Sequence, residues 1–253
     1  MAATFHDLKG QSVFITGGGS GIGAALTEGF LRQGAKVAFC QRSDATPFCD
    51  AMEHATGNRP LFLPCDISVT DQLQLTLSTA AKAHGPITVL VNNAANDQRH
   101  ETMTTDETFW DWSINVNLRS YFFACQAVIP GMKAAGGGAI VNFSSISFMM
   151  ADKGYAAYIT ANAGIVGLTR TLAREFGPDR IRVNALAPGW VLTERQKEMW
   201  ATPESLATHL GRQCIPDPIQ PEDVTGTVLF LASEASKMMT SQTLILDGGY
   251  ISS

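Results

Sequence analysis

Short apolar runs alternate along this chain with longer stretches whose apolar residues recur at helical spacing, the rhythm of successive βαβ units. The runs Ser12 to Thr16, Lys36 to Cys40, Arg59 to Cys65, Thr88 to Asn92, Gly138 to Ser144, Arg180 to Ala187 and Thr243 to Asp247 predict seven strands. Between them, Gly21 to Gln33, Asp71 to His84, Thr105 to Gly131, Ala157 to Phe176 and Pro221 to Leu231 predict helices, about six in all. Strands that alternate with helices in this way form a parallel sheet covered on both faces, so the expected class is α/β. Only Trp190 to Pro218, rich in polar residues, Trp and Pro, breaks the rhythm. It reads as a mobile insertion or lid over an otherwise single domain spanning 1–253.

Composition narrows the partners. The 253 residues are 45% hydrophobic, enough for one full core. A formal net charge of −5, with Lys and Arg scattered singly, leaves no basic stripe for nucleic acid or an acidic membrane surface. The five cysteines, Cys40, Cys49, Cys65, Cys125 and Cys214, include no Cys-x-x-Cys pair and read mostly as buried thiols. Without a signal-like segment or an apolar run of membrane-spanning length, a reducing cytoplasm is the expected compartment. His6, His54, His84 and His209 show no metal-ligand spacing and read mostly as surface residues, so no metal site is expected.

Candidate chemistry begins at Thr16-Gly17-Gly18-Gly19-Ser20-Gly21-Ile22-Gly23, which follows a predicted strand and opens a predicted helix. Gly17, Gly19, Gly21 and Gly23 permit a tight turn and close backbone approach, while Ser20, Ile22 and the helix N-terminus offer N–H groups to a pyrophosphate. Dinucleotide binding is the expectation. The second strand then runs into Gln41-Arg42, where many dinucleotide proteins place an acid for the ribose 2′-hydroxyl. Arg42 could pair with a 2′-phosphate, which favours NADP, with NAD as the alternative because Asp44 lies close; Arg42 could also be a solvated surface charge.

Together the glycine turn, Asn92-Asn93-Ala94-Ala95, Ser145, Tyr158 and Pro188-Gly189 resemble the short-chain dehydrogenase/reductase family over nearly the whole chain. The resemblance implies a single-domain Rossmann-type doubly wound fold, a nicotinamide cofactor and a homotetramer. It also implies an adenine contact at Asp66 and Ile67, although a helix cap explains Asp66 equally well. By the same resemblance Asn93 would take an adenine-side, sheet-stabilising position, and Pro188, Gly189 and Val191 would line the cofactor. In the catalytic constellation so implied, Tyr158 shuttles the proton, Ser145 holds the substrate oxygen and Asn117 belongs to the supporting network. Ordinary roles stay open: a strand end for Ser145, a helix-start aromatic for Tyr158, a kink or cap for Asn117.

One position departs from the family pattern. Asn162 stands four residues after Tyr158, where the family carries a lysine that binds nicotinamide ribose and favours phenolate by its charge. Asparagine can bond ribose hydroxyls but supplies no charge. Three expectations follow: an active enzyme with an alkaline-shifted profile, one in which a bound water, the nicotinamide ring charge or a loop residue such as Lys153 partly substitutes, or a catalytically silent nucleotide-binding protein.

The polar run Asn96-Asp97-Gln98-Arg99-His100-Glu101 follows the fourth strand, where open α/β sheets place ligands. With Thr193 to Gln196 and Trp200 to Glu204 it resembles the branch of the family that oxidises free sugars or sugar acids. Asn96, Arg99, Ser145, Ser147, Tyr158 and Trp190 are the candidate substrate contacts, with Arg99 or His100 suited to a carboxylate. A solvated loop is the plainer reading of that run. Phe148, Met149 and Met150 are candidates for the apolar wall, or for an oligomer face or core. The alternative substrate is a 3-oxoacyl thioester or other ketone.

Overall fold

The computed structural model describes residues 3–150 and 152–251. Seven strands form one parallel sheet in the order β3-β2-β1-β4-β5-β6-β7: β1 Ser12–Thr16, β2 Lys36–Gln41, β3 Leu61–Pro64, β4 Val89–Asn92, β5 Gly138–Phe143, β6 Ile181–Pro188 and β7 Thr243–Leu246. Around it lie α1 Gly21–Arg32, α2 Thr46–Thr56, α3 Thr70–His84, α4 Glu107–Ile114, α5 Ser120–Ala134, α6 Ser147–Met150, α7 Ala156–Phe176, α8 Glu194–Met199, α9 Pro203–Leu210 and α10 Pro221–Ala232.

Alternation along each strand sorts its side chains between two cores. Val13, Ile15, Val37, Phe39 and Val91 face α1, α2 and α10 through Phe30, Cys49 and Val228. Phe14, Ala38, Cys40, Leu90 and Ile140 face α3, α5 and α7 through Leu77, Cys125 and Leu172. Burial on both faces explains why the five inner strands read as apolar runs. Every predicted strand is present, but the third begins at Leu61 instead of Arg59, whose guanidinium pairs with Asp50 and Glu53 of α2.

Three helical expectations need correction. The sequence pattern did not single out α2, which buries only Cys49. The single helix expected over Thr105 to Gly131 is divided into α4 and α5 by a π-helical turn, Asn115–Arg119. Residues 190–218 contain α8 and α9, begun by Thr193 and Thr202, whose hydroxyls accept from the N–H groups of Gln196 and Ser205. The chain order reverses between β1 and β4, and the crevice beyond their carboxyl ends receives the loops that carry the candidate chemistry.

Candidate active site

A cavity of about 1820 Å³ opens over that crevice, larger than a drug-sized pocket and roomy enough for a dinucleotide together with a small substrate. Its nucleotide end is built on the turn from β1 into α1. Gly17 and Gly21 have φ of +70° and +51°, the left-handed region that favours glycine. A Cβ on Gly23 would lie 1.8 Å from the Gly17 carbonyl oxygen, so helix and turn touch backbone to backbone. Ser20 begins α1 without a side-chain cap, leaving N–H groups of the first turn for an anion. This bare, glycine-shaped cradle fits a pyrophosphate. Gly17, Ser20, Gly21, Ile22 and Gly23 line the cavity, whereas Gly19 stands outside its wall and donates its N–H to Gln41 Oε1 at 3.1 Å.

Arg42, Asp66, Ile67, Asn93, Pro188, Gly189 and Val191 also line the cavity. Arg42 is exposed and pairs with no carboxylate among the described residues. Asp44 turns away to accept from the Thr46 N–H and hydroxyl, bonds that hold its carboxyl below the usual range. Asp66 does not cap α3: its Oδ1 accepts from the N–H and hydroxyl of Ser68, and α3 begins after Val69. Asn93 donates its amide to the carbonyls of Thr16 and Gly17 and so ties β4 to the glycine turn. Gly189 donates to the Leu246 carbonyl, and a Cβ there would meet Asp247 at 2.9 Å.

Ser145 and Tyr158 both line the cavity, side by side. Ser144, at the end of β5, donates to the Asn162 carbonyl at 3.0 Å and fixes the strand end against α7. Ser145 Oγ accepts from the Ser147 N–H at 3.2 Å, while buried Ser147 Oγ in the same wall lacks a partner among the described residues. Tyr158 lies in the first turn of α7, its ring stacked on Tyr155 with centroids 5.7 Å apart. Its side chain lines the cavity beside Ser145, so one ligand oxygen can meet both hydroxyls. Burial, then the Asp97 carboxylate, pushes the phenol up to about 12, with the Ser145 and Asn162 side chains pulling the other way.

Asn162 is not brought into the cavity wall. It is 3% exposed, and its amide nitrogen donates to the Tyr158 carbonyl at 2.9 Å, one turn back along its own helix. Asn117 is likewise buried behind the wall, in the π-helical turn. Its Oδ1 accepts from the Asn96 N–H at 2.8 Å and its Nδ2 donates to the Asn96 and Ser113 carbonyls. Asn117 does sit at a kink: the widened turn lets one amide grip the backbone of Asn96, which lines the cavity.

At the substrate end, Asn96, Arg99, His100, Met150, Lys153 and Trp190 line the wall, whereas Phe148 and Met149 stand outside it. The Arg99 guanidinium lies 3.6 Å from the Tyr155 ring centroid and 5.5 Å from that of Trp200, so its face is taken by stacking. Trp190 Nε1 donates to Gln196 Oε1, Gln196 Nε2 donates to Asp97 Oδ2, and Arg195 pairs with Asp97 Oδ1 at 3.1 Å. These bonds close α8 onto the loop after β4. Sequence reasoning named Asp97 and Gln196 only within polar runs and gave neither a role of its own, missed Tyr250, and grouped His209 with histidines read mostly as surface residues. His209 in fact lines the cavity, and its partners come together only in the fold.

Comparison with known proteins follows the same outline. The family described as Enoyl-(Acyl carrier protein) reductase matches residues 17–251. The chain is 47% identical to "Probable galactose dehydrogenase GalD" of Rhizobium meliloti (strain 1021), covering 98% of each chain. It is 45% identical to D-xylose 1-dehydrogenase of Caulobacter vibrioides (strain NA1000 / CB15N), covering 98% of this chain and 99% of that one. Among solved structures, one from Sinorhizobium meliloti 1021, described as a short-chain alcohol dehydrogenase, superposes with a TM-score of 0.92 at 30% identity, covering 97% of this chain and 98% of the other. A match that runs from the glycine turn to the end of the described residues, with relatives similar end to end, leaves one assignment: the chain belongs to the short-chain dehydrogenase/reductase family.

Proposed function

We propose that this protein oxidises a hydroxyl of a free sugar or sugar acid with a nicotinamide dinucleotide, Tyr158 taking the proton. The observation that carries the proposal is the Tyr158 hydroxyl set beside that of Ser145, in the same cavity as the glycine cradle. When bound, the nicotinamide supplies the hydride acceptor. Ser145 holds the reacting oxygen, Tyr158 exchanges its proton, and Asn117 fixes the Asn96 loop against which the substrate lies. The galactose and D-xylose dehydrogenases to which the chain is similar support a sugar, as does a wall of Asn96, Asp97, Arg99 and Gln196.

Free Arg42, with Asp44 turned away, supports NADP over NAD. Residues 190–218 act as the substrate lid of a single domain, latched by Gln196 and Asp97. Exposed Trp110, Phe122 and Ile245 offer apolar surface for the contacts of a homotetramer, and the enzyme works in the cytoplasm.

A second reading, cofactor binding without turnover, is favoured by one feature: the raised Tyr158 phenol, with no cation at residue 162 to lower it. Nicotinamide absorbance followed with NADP and NAD, over aldoses, sugar acids and ketones at neutral and alkaline pH, separates the readings. Sugar oxidation lost in Tyr158→Phe is expected. Cofactor binding with silence across the panel supports the second reading, and turnover of ketones or 3-oxoacyl thioesters alone sinks the sugar assignment.

A further inference from the structure

His209 sits in α9, in the segment that covers the substrate end of the cavity. One face of its imidazole stacks on Tyr250 at 4.4 Å and 16°, and Trp190 meets it edge-on at 5.1 Å and 85°. Tyr250 is held in turn by Arg212, whose guanidinium lies 4.6 Å from the ring centroid. Asp247 accepts from the N–H groups of Gly249 and Ile251 and so fixes the turn that presents Tyr250. The imidazole is therefore set in one orientation by neighbours from two other parts of the chain.

Nothing in the fold uses the nitrogen so positioned. His209 Nε2 is buried without a hydrogen-bond partner among the described residues, and His209, Trp190 and Tyr250 all line the cavity. A buried polar atom without a partner carries a desolvation cost unless a ligand meets it. Burial first, then Arg212, lowers the imidazole below its usual range against an opposing Asp247, which keeps the ring neutral and able to donate or accept. A neutral, adaptable nitrogen framed by aromatic surface suits a hydroxyl flanked by C–H faces, not a carboxylate.

We infer that His209 is a specificity-determining residue, its Nε2 hydrogen-bonding a sugar hydroxyl away from the reacting carbon while Trp190 and Tyr250 pack the sugar's apolar faces. The inference rests on the sugar-oxidising reading above and adds the contact that would tell one sugar from another.

The test compares His209→Phe, which keeps the stack on Tyr250 but lacks the nitrogen, and His209→Gln, which restores a polar group. Both are assayed on the preferred sugar and on its singly deoxygenated analogues. We expect His209→Phe to lower kcat/KM on the parent sugar roughly ten-fold or more, chiefly through KM. One deoxy analogue should show little further loss, and His209→Gln should recover part of the activity. Cofactor KM and the pH profile should not move. An unchanged His209→Phe, or an equal loss on the parent and every analogue, overturns the inference while leaving sugar oxidation standing. If the wild type turns over nothing, sugar affinity read by tryptophan fluorescence replaces kcat/KM in the same comparison. A wild type that neither binds nor oxidises any sugar overturns the proposed function and this inference together.

Discussion

At the scale of single residues, the balance of charge around Tyr158 decides the chemistry. A tyrosine that accepts a proton acts as phenolate, present above its pKa, so a phenol raised to about 12 moves the rising limb of sugar oxidation to alkaline pH. The reverse reaction uses the neutral phenol, present below that pKa, so carbonyl reduction should keep its proton donor at neutral pH and weaken as pH rises. Asn162→Lys restores a cation, and Asp97→Asn removes the carboxylate that raises the phenol. Each should shift the oxidation limb toward neutrality, with each unit worth about ten-fold in rate below the limb. Superimposable pH–rate profiles for wild type and both variants would sink this account. Tyr158, Ser145 and Asn162 were legible in the sequence because they lie at fixed spacing on adjoining elements. Asp97 acts on Tyr158 only across the folded cavity, and no spacing along the chain announces that pairing.

At the scale of elements, strand positions were legible and local backbone departures were not. Burial on both faces writes the five inner strands as apolar runs, and the glycine turn marks the first helix start. The π-helical turn at Asn115–Arg119 has no such mark, because what widens the helix is the Asn117 amide bonding to Asn96 and Ser113. Helices α8 and α9 escaped notice because they bury no residue fully and depend on threonine caps and cross-cavity bonds. The contact between α1 and the glycine turn is the element-scale feature easiest to test. Gly23→Ala puts a methyl group where the Gly17 carbonyl already stands, so turn and helix must separate. A stability loss of roughly 1–3 kcal/mol is expected by denaturant unfolding, together with much weaker cofactor binding by fluorescence titration. Unaltered cofactor affinity in a folded Gly23→Ala protein would show that the close approach does not shape the phosphate cradle.

At the scale of the whole molecule, the reversal of strand order between β1 and β4 divides the labour of one cavity. Elements before β4 furnish the glycine cradle, Arg42 and Asp66, while those after it furnish Asn96, Ser145, Tyr158 and the segment bearing His209. Arg42 makes no ion pair among the described residues, so a change there should act independently of the sugar end. Arg42 tests this most directly. A guanidinium paired with a 2′-phosphate makes charge-assisted bonds that NAD has no group to accept. Arg42→Ala should therefore raise KM for NADP about ten-fold or more while leaving KM for NAD and the ranking of sugars nearly unchanged. Equal small losses with both cofactors would identify Arg42 as a solvated charge and return the preference to NAD. A changed sugar ranking would mean that the two ends are coupled through the β1–β4 crevice, where Asn93 ties the glycine turn to the loop carrying Asn96.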